Sequence, residues 1–221
     1  MGKALTPVEA ARVYDRIGRF QDWQAFYEGP AVNDLIAHVH LDSASRLFEL
    51  GCGTGALAAR LLAEHLPVEA TYLGVDVSPH MVRLSRERLE RWAGRARVLP
   101  TDGLLPLSAA DGTYSHFLAV YVFDLLSEAY ARAVLRETAR LLQPGGRVGL
   151  VSLAPGRSRL ARLVSGAWGA LWELAPGLTG GCRPVDLGSL LEQGWVTEYR
   201  ALVEAWGVAS EVIVATPTPP E

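Results

Sequence analysis

The sequence predicts an α/β fold with a doubly wound, mostly parallel seven-stranded sheet and an antiparallel C-terminal strand. Strand-like apolar runs alternate with helix-like stretches, which is the pattern of a parallel sheet covered on both faces. A glycine-rich turn, 51–55, joins the first strand to a helix-forming segment. The last two β-rich runs are joined by a short connection near Gly207, which favours an antiparallel hairpin.

The composition limits the class of protein. A chain of 221 residues with 49% hydrophobic and 20% charged residues suits one globular domain, 1–221. The net charge of -3 gives no general electrostatic case for nucleic acid. Cys52 and Cys182 form no disulfide framework, so we expect a reducing, cytoplasmic compartment. No apolar run reaches the roughly 18 residues that span a bilayer, so we expect no transmembrane segment.

The N-terminal part, 1–44, is predicted to form a helical lid. Helices are expected over 6–18 and 31–41. Apolar residues in the second helix recur at helical spacing, and these are Val32, Leu35, Ile36 and Val39. One apolar face should therefore rest on the rest of the domain.

The segment 45–153 is predicted to hold the parallel part of the sheet. Its five strands are expected at 46–50, 70–75, 97–101, 115–120 and 147–153, and its helices at 54–66, 79–92 and 128–142. Ser78 followed by Pro79 is typical of a helix N-cap and the first helical position after it. Pro144-Gly145-Gly146 predicts a turn before the fifth strand.

The segment after the fifth strand breaks the alternation. We interpret 154–193 as an insert on the substrate side and 194–217 as the C-terminal hairpin. The insert contains an amphipathic stripe, namely Leu160, Leu163, Val164, Ala167, Trp168 and Leu171. Arg157, Arg159 and Arg162 cluster at its start, where they either bind an anionic group of the substrate or form a solvated basic end.

Polar groups follow the first three predicted strands in turn. The glycine turn follows the first strand, Asp76 the second and Asp102 the third. Ligands of open α/β sheets bind outside the carboxyl ends of the strands. An acid after the second strand can accept both hydroxyls of a ribose, and an acid after the third can accept an adenine amine. The pattern therefore predicts an adenosine-containing ligand.

The turn by itself fits two such ligands. Gly51, Gly53 and Ala56 satisfy the loose dinucleotide fingerprint. Two residues weaken that interpretation. The third glycine is Gly55, one position earlier than the dinucleotide fingerprint requires, and the carboxylate of Glu49 precedes the turn. A carboxylate is poorly placed for a pyrophosphate and suits a cationic ligand.

Four segments in the expected order resemble the motifs of class I S-adenosylmethionine-dependent methyltransferases. They are 49–55, 74–81, 101–103 and 142–146, and the resemblance extends over about 46–153. It implies the Rossmann-like methyltransferase fold. The most similar group includes the ubiquinone and menaquinone C-methyltransferases (methyltransferase type 11), and Tyr14-Asp15-Arg16 adds to that impression.

The resemblance also implies S-adenosylmethionine as cofactor and gives roles to particular residues. The implied contacts are Glu49, Gly51 and Gly53 with the methionine part, Asp76 with the ribose, Val77, Met81, Asp102 and Gly103 with adenine, and Val120 beneath the cofactor. The alternative for Asp76 and Asp102 is a helix cap or loop acid, and the alternative for Met81 is a core position.

The predicted function is methyl transfer to a small or medium-sized acceptor, with an apolar acceptor as one hypothesis. The alternatives are a nicotinamide-dependent oxidoreductase that uses the same turn, and a non-catalytic S-adenosylmethionine-binding protein. No metal-ligand cluster is visible. The sequence identifies no catalytic residue. Asp124 and Tyr121 follow the fourth strand, where a catalytic base can lie, and Tyr14 and Tyr27 can reach the site from the lid. The alternatives are a solvated acid for Asp124 and a packing role for the tyrosines.

Overall fold

A computed structural model describes residues 25–159, 161–162, 166 and 182–218. The predicted helix 6–18, the segment 14–16 and the apolar stripe of the insert lie outside these residues. None of the helices that the structure describes combines the length and the apolar character needed to cross a membrane.

Strands and helices alternate along the described chain. The strands are β1 (Arg46–Leu50), β2 (Thr71–Asp76), β3 (Ala96–Pro100), β4 (Tyr114–Val120), β5 (Leu142–Leu153), β6 (Trp195–Ala205) and β7 (Val208–Pro217). The helices are α1 (Ala25–His38), α2 (Ala56–Glu64), α3 (Pro79–Leu89), α4 (Glu128–Leu141) and α5 (Leu187–Leu191).

The strands form one 7-stranded sheet in the order β3-β2-β1-β4-β5-β7-β6. Strands β1 to β5 are mutually parallel, and β7 runs antiparallel to both β5 and β6. The predicted fold class and the predicted hairpin are confirmed. The strand order reverses between β1 and β4, and such a switch point opens a crevice at the carboxyl ends of these strands.

Two hydrophobic cores cover the two faces of the sheet. Leu35 of α1 and Leu61 of α2 belong to one core, and Val134 of α4 and Leu187 of α5 belong to the other. In the second core, the rings of Phe48 and Phe117 stack with centroids 5.2 Å apart. Apolar side chains on both faces are expected of parallel strands, because helices cover each side.

Helix α1 begins earlier than predicted, at Ala25 rather than at 31. Pro30, which precedes the predicted start, lies inside the helix. Proline removes one backbone hydrogen bond. Ala31, Leu35 and Val39 are buried on the sheet, and this tertiary packing overrides the local preference.

The predicted turn at 144–146 lies within the bounds of β5 (Leu142–Leu153) and interrupts the pairing of that strand with β4. Tyr114 pairs with Leu142 and His116 with Arg147, so residues 143–146 form a bulge that has no partner in β4. Gly145 has a φ of 74°, a conformation that suits glycine and lets the strand bend without leaving the sheet.

Candidate cofactor site

The glycine turn lies at the carboxyl end of β1 and is bonded to β2. The N–H groups of Gly51 and Cys52 donate to the carbonyl oxygen of Val75 at 2.8 and 3.1 Å. Gly51, Gly53 and Gly55 have φ values of 70°, 52° and 74°, all in the left-handed region. Side chains with a Cβ rarely adopt this region, so the backbone conformation itself selects glycine.

The space around the turn also excludes side chains. A Cβ on Gly51 would lie 2.5 Å from Cγ2 of Val122, and a Cβ on Gly55 would lie 2.4 Å from Oγ of Ser85. The contact with Val122 shows that the segment after β4 packs directly against the turn. The crevice between β1 and β4 is therefore bordered by this turn and by the chain that follows β4.

Asp76 fixes the turn to the start of α3. One carboxylate oxygen accepts the Gly53 N–H and the other accepts the Ser78 N–H, each at 2.9 Å. The side-chain oxygen of Ser78 accepts the N–H of Met81 at 3.1 Å, so the predicted N-cap is confirmed. Asp76 is 8% exposed, and its carboxylate is held in one orientation at the sheet edge.

Glu49 is a second buried carboxyl beside the turn. It is 3% exposed, and one of its oxygens accepts the Tyr72 hydroxyl at 2.6 Å. Burial is the main cause that raises the pKa of Glu49 to about 8. The hydrogen bond from Tyr72 opposes this rise, and the charge of Asp76 adds to it. Two buried carboxyls beside one turn form a site that favours a cationic ligand.

Gly74 makes the bond between Tyr72 and Glu49 possible. Gly74 is the cross-strand partner of Glu49. A Cβ on Gly74 would lie 2.4 Å from the Tyr72 hydroxyl and 2.9 Å from Cβ of Cys52. Tyr72 was not among the predicted site residues, although side-chain alternation along β2 places residues 72, 74 and 76 on one face.

The predicted adenine end adjoins Asp76. The N–H of Thr101 donates to the carbonyl oxygen of Asp76 at 3.0 Å. The N–H of Gly103 donates to the Thr101 hydroxyl at 3.1 Å, and an exposed oxygen of Asp102 accepts the Leu104 N–H at 2.9 Å. The Tyr130 hydroxyl donates to the carbonyl oxygen of Gly103. This loop is thus ordered by its own hydrogen bonds.

The three apolar residues of the predicted site differ in burial. Val77 and Val120 are half-buried at the ends of β2 and β4. Met81 is 1% exposed in α3 and belongs to the packed interior, which agrees with the alternative of a core position.

A second group of polar side chains lies beyond β4. Tyr121 has a φ of 54°, and its hydroxyl is 2.8 Å from Oγ of Ser210. The Tyr27 ring meets the Tyr121 ring edge-on with centroids 6.3 Å apart. Asp124 is fully buried, and burial raises its pKa to about 7.

The arginine cluster after β5 is exposed. The N–H groups of Arg157 and Ser158 donate to one carboxylate oxygen of Glu204 at 2.7 and 3.1 Å. The side chains of Arg157, Arg159 and Arg162 are exposed, in agreement with a solvated basic end. Among the described residues, no three His, Cys, Asp or Glu side chains converge as metal ligands.

Comparison with known proteins gives matches to methyltransferases. Residues 47–146 match the family described as "Methyltransferase domain". The chain is 33% identical over 135 residues to the biotin biosynthesis bifunctional protein BioCD of Bordetella avium, a match that covers 60% of this chain and 27% of that protein. It is 30% identical over 116 residues to the demethylmenaquinone methyltransferase of Chlamydia pneumoniae, covering 52% of this chain and 47% of that protein.

Solved structures share the fold. The N-methyltransferase NodS of Bradyrhizobium japonicum, crystallised with S-adenosyl-L-homocysteine, has a TM-score of 0.64 at 18% identity, covering 87% of this chain and 88% of that chain. The [4+2]-cyclase SpnF has a TM-score of 0.73 at 16% identity and covers 98% of each chain. At these identities the similarity shows the fold alone.

Sequence match, sheet order and glycine turn agree with one another. The match spans β1 to the bulge of β5, the segment that carries Glu49, Asp76 and the turn. Residues 47–146 thus match the methyltransferase-domain family, in agreement with the predicted resemblance to class I S-adenosylmethionine-dependent methyltransferases.

Proposed function

We propose that the protein transfers a methyl group from S-adenosylmethionine to a small or medium-sized acceptor molecule. One observation carries this proposal: two buried carboxyls, Glu49 and Asp76, flank a turn with three glycines in the left-handed region at the switch point of the sheet. When bound, the cofactor supplies an activated methyl group on a positively charged sulfur. The residues present fit that group, because the turn admits close backbone approach and the carboxyls balance positive charge.

In this proposal each residue holds one part of the cofactor. Glu49, with Gly51 and Gly53, holds the cationic methionine end. Asp76 accepts the ribose hydroxyls, and its orientation is supported by the N–H groups of Gly53 and Ser78. The adenine contacts are Val77, Met81, Asp102 and Gly103, and Val120 lies beneath the cofactor.

The proposal includes a small molecule as acceptor and a cytoplasmic location. The net charge of -3 supports an acceptor other than nucleic acid. Cys52 and Cys182 are both present as thiols, which supports a reducing compartment.

Replacing Asp76 by alanine is expected to weaken S-adenosylmethionine binding by about 1–3 kcal/mol, because a charged hydrogen-bond acceptor is lost. Isothermal calorimetry measures the change. Asp42→Ala, which removes an exposed carboxyl from the turn before β1, is the control and should bind normally.

Asp76→Ala also removes the acceptor of two backbone N–H groups, so its thermal unfolding is compared with that of the wild type. Affinity that stays unchanged in a folded variant would mean that Asp76 does not hold the ribose. Binding of NAD(P)H without any binding of S-adenosylmethionine would support the oxidoreductase instead.

The second candidate is a protein of the same fold that does not transfer methyl groups. This second candidate is supported by the similarity to a protein named as a [4+2]-cyclase. The two candidates differ in a labelling experiment with S-adenosylmethionine that carries ¹³C in its methyl group. A methyltransferase passes the label to an acceptor in a small-molecule extract, whereas the second candidate binds the cofactor and leaves the label on it.

A further inference from the structure

Asp124 lies beside the glycine turn without belonging to the cofactor residues. It is the middle residue of the short 3-10 turn Phe123–Leu125 that follows β4. Val122, two positions earlier, packs against Gly51. The 3-10 turn is thus placed at the carboxyl edge of the sheet, where the transferred methyl group would have to meet its acceptor.

The carboxyl of Asp124 is fully buried. No donor among the described residues reaches either oxygen with the distance and angle of a normal hydrogen bond, although the Cys182 side chain and the backbone of Asp124 and Leu153 lie near enough to favour the ionised form. Buried polar groups are nearly always hydrogen-bonded, and the exceptions concentrate at functional sites. A donor supplied by a bound molecule would satisfy this carboxyl.

Titratable groups from three other parts of the chain face Asp124. Tyr27 and Glu28 come from α1 and Tyr121 from the end of β4, and their charges interact with one another and with Asp124. Cys182 and Arg183 come from the segment before α5, and both favour the ionised form of Asp124. The Arg183 side chain donates to the carbonyl oxygen of Leu126 at 2.9 Å.

Among these groups Asp124 is the one suited to accept a proton near neutral pH. Burial raises the pKa of Tyr27 and of Tyr121 far above the ordinary tyrosine value, so both phenols stay protonated. The pKa of Asp124, raised to about 7 mainly by burial, lies where a general base works best. The two tyrosine rings form an aromatic wall beside it.

We propose that Asp124 is the general base of the reaction and that the acceptor presents a phenolic or enolic hydroxyl group to it. This inference rests on the proposed methyl transfer. A hydroxyl donates the hydrogen bond that the buried carboxyl lacks among the described residues, and an aromatic ring packs against Tyr27 and Tyr121. A carboxylate acceptor would be repelled by Asp124 and Glu28. An aliphatic alcohol is a weaker acid and matches this base poorly.

The acceptor's O–H bond breaks and its proton passes to the carboxylate of Asp124. An oxygen lone pair forms the new O–CH₃ bond, while the CH₃–S bond breaks and its electron pair stays on sulfur, which becomes neutral. The carboxylic acid of Asp124 then releases the proton to solvent.

The test uses the whole chain with S-adenosylmethionine carrying a ¹³C methyl group and a panel of simple phenols, aliphatic alcohols and aromatic carboxylates. The ¹³C chemical shift of the product identifies the atom that received the methyl group. We expect methyl ethers of phenols. In Asp124→Asn we expect kcat to fall by about 10²–10⁴-fold, the usual contribution of a general base, while the Kd of S-adenosylmethionine changes little. Asp42→Asn is the matched control.

A second readout is independent of turnover. The carboxyl ¹³C signal that disappears in Asp124→Asn should titrate near pH 7 in the wild type, and kcat of the wild type should rise through the same pH range. A signal that titrates in the ordinary acidic range overturns the proposal whatever the acceptor is. Methylation of carboxylates in place of phenols, or an unchanged kcat in Asp124→Asn, also overturns it and leaves the proposed function intact. Absence of S-adenosylmethionine binding in the wild type instead refutes the proposed function.

Discussion

Gly55→Ala is expected to lower the free energy of unfolding by about 2–4 kcal/mol. A residue with a Cβ in the left-handed region costs about 1–2 kcal/mol, and Gly55 has a φ of 74°. The added Cβ would also lie 2.4 Å from Oγ and 3.1 Å from Cα of Ser85. Because Ser85 is buried in α3, its backbone cannot move away freely, and overpacking of this kind costs about 1–3 kcal/mol.

Gly145→Ala is the matched control for this prediction. Gly145 also has a φ of 74°, but nothing lies within 4 Å of its added Cβ. Gly145→Ala therefore introduces backbone strain without a steric clash. Urea denaturation should show a smaller loss of unfolding free energy for Gly145→Ala than for Gly55→Ala. Equal losses in the two variants would show that the contact between the glycine turn and α3 is looser than described.

Glu49→Gln is expected to stabilise the protein at high pH and to weaken cofactor binding. At pH 9 the free energy of unfolding should rise by about 2–4 kcal/mol. A pKa difference between 4.5 and about 8 corresponds to up to about 5 kcal/mol, at about 1.4 kcal/mol per pKa unit. The glutamine keeps an acceptor for the Tyr72 hydroxyl. Burial of its NH₂ group without an acceptor costs about 1–3 kcal/mol, which reduces the gain.

The gain depends on pH in a defined direction. Burial raises the folded-state pKa of Glu49 above its ordinary value of 4.5. Between these two pKa values the folded protein retains a proton that the unfolded chain has released, so the stability of the wild type falls as the pH rises. The effect is complete above about pH 8. At pH 5 the variant should therefore show no gain.

Urea denaturation of both proteins at pH 5 and pH 9, without cofactor, measures the difference. Glu69→Gln, at an exposed position, should change stability little at either pH. Calorimetry with S-adenosylmethionine at pH 9, where Glu49 of the wild type is ionised, should show weaker binding to Glu49→Gln, because the negative charge opposite the cationic end is gone. A variant that is less stable at pH 9 would contradict the assignment of Glu49 as a destabilising buried carboxyl.

The sequence predicted the parts of the site that follow from local pattern. Glu49, the glycine turn, Asp76 and Asp102 were placed by the order in which apolar strands end in polar residues, since parallel strands bring their carboxyl ends to one edge. The N-cap at Ser78 and the hairpin near Gly207 were likewise local signals, because caps and tight turns depend on a few adjacent residues.

Other features followed from packing and escaped prediction. Pro144-Gly145-Gly146 is typical of a turn, but pairing of Leu142 and Arg147 with β4 on either side keeps it inside β5 as an unpaired bulge. The sequence predicts a helix from 31, but α1 extends back through Pro30, and the turns that follow are buried on the sheet. In both cases contacts with distant strands outweigh the preference of the local segment.

The sequence alone determined the fold class and the order in which polar groups follow the strands, because both depend on periodicity and on spacing along the chain. The resemblance to methyltransferases came from four sequence motifs. Only the tertiary structure decided which side chains meet. It joined Tyr72 to Glu49, set Val122 on Gly51 and enclosed the carboxyl of Asp124. Such contacts join residues on different elements, and their pKa values depend on the burial that the assembled fold creates. A solvated acid and a buried base have the same letter in the sequence, and packing alone distinguishes them.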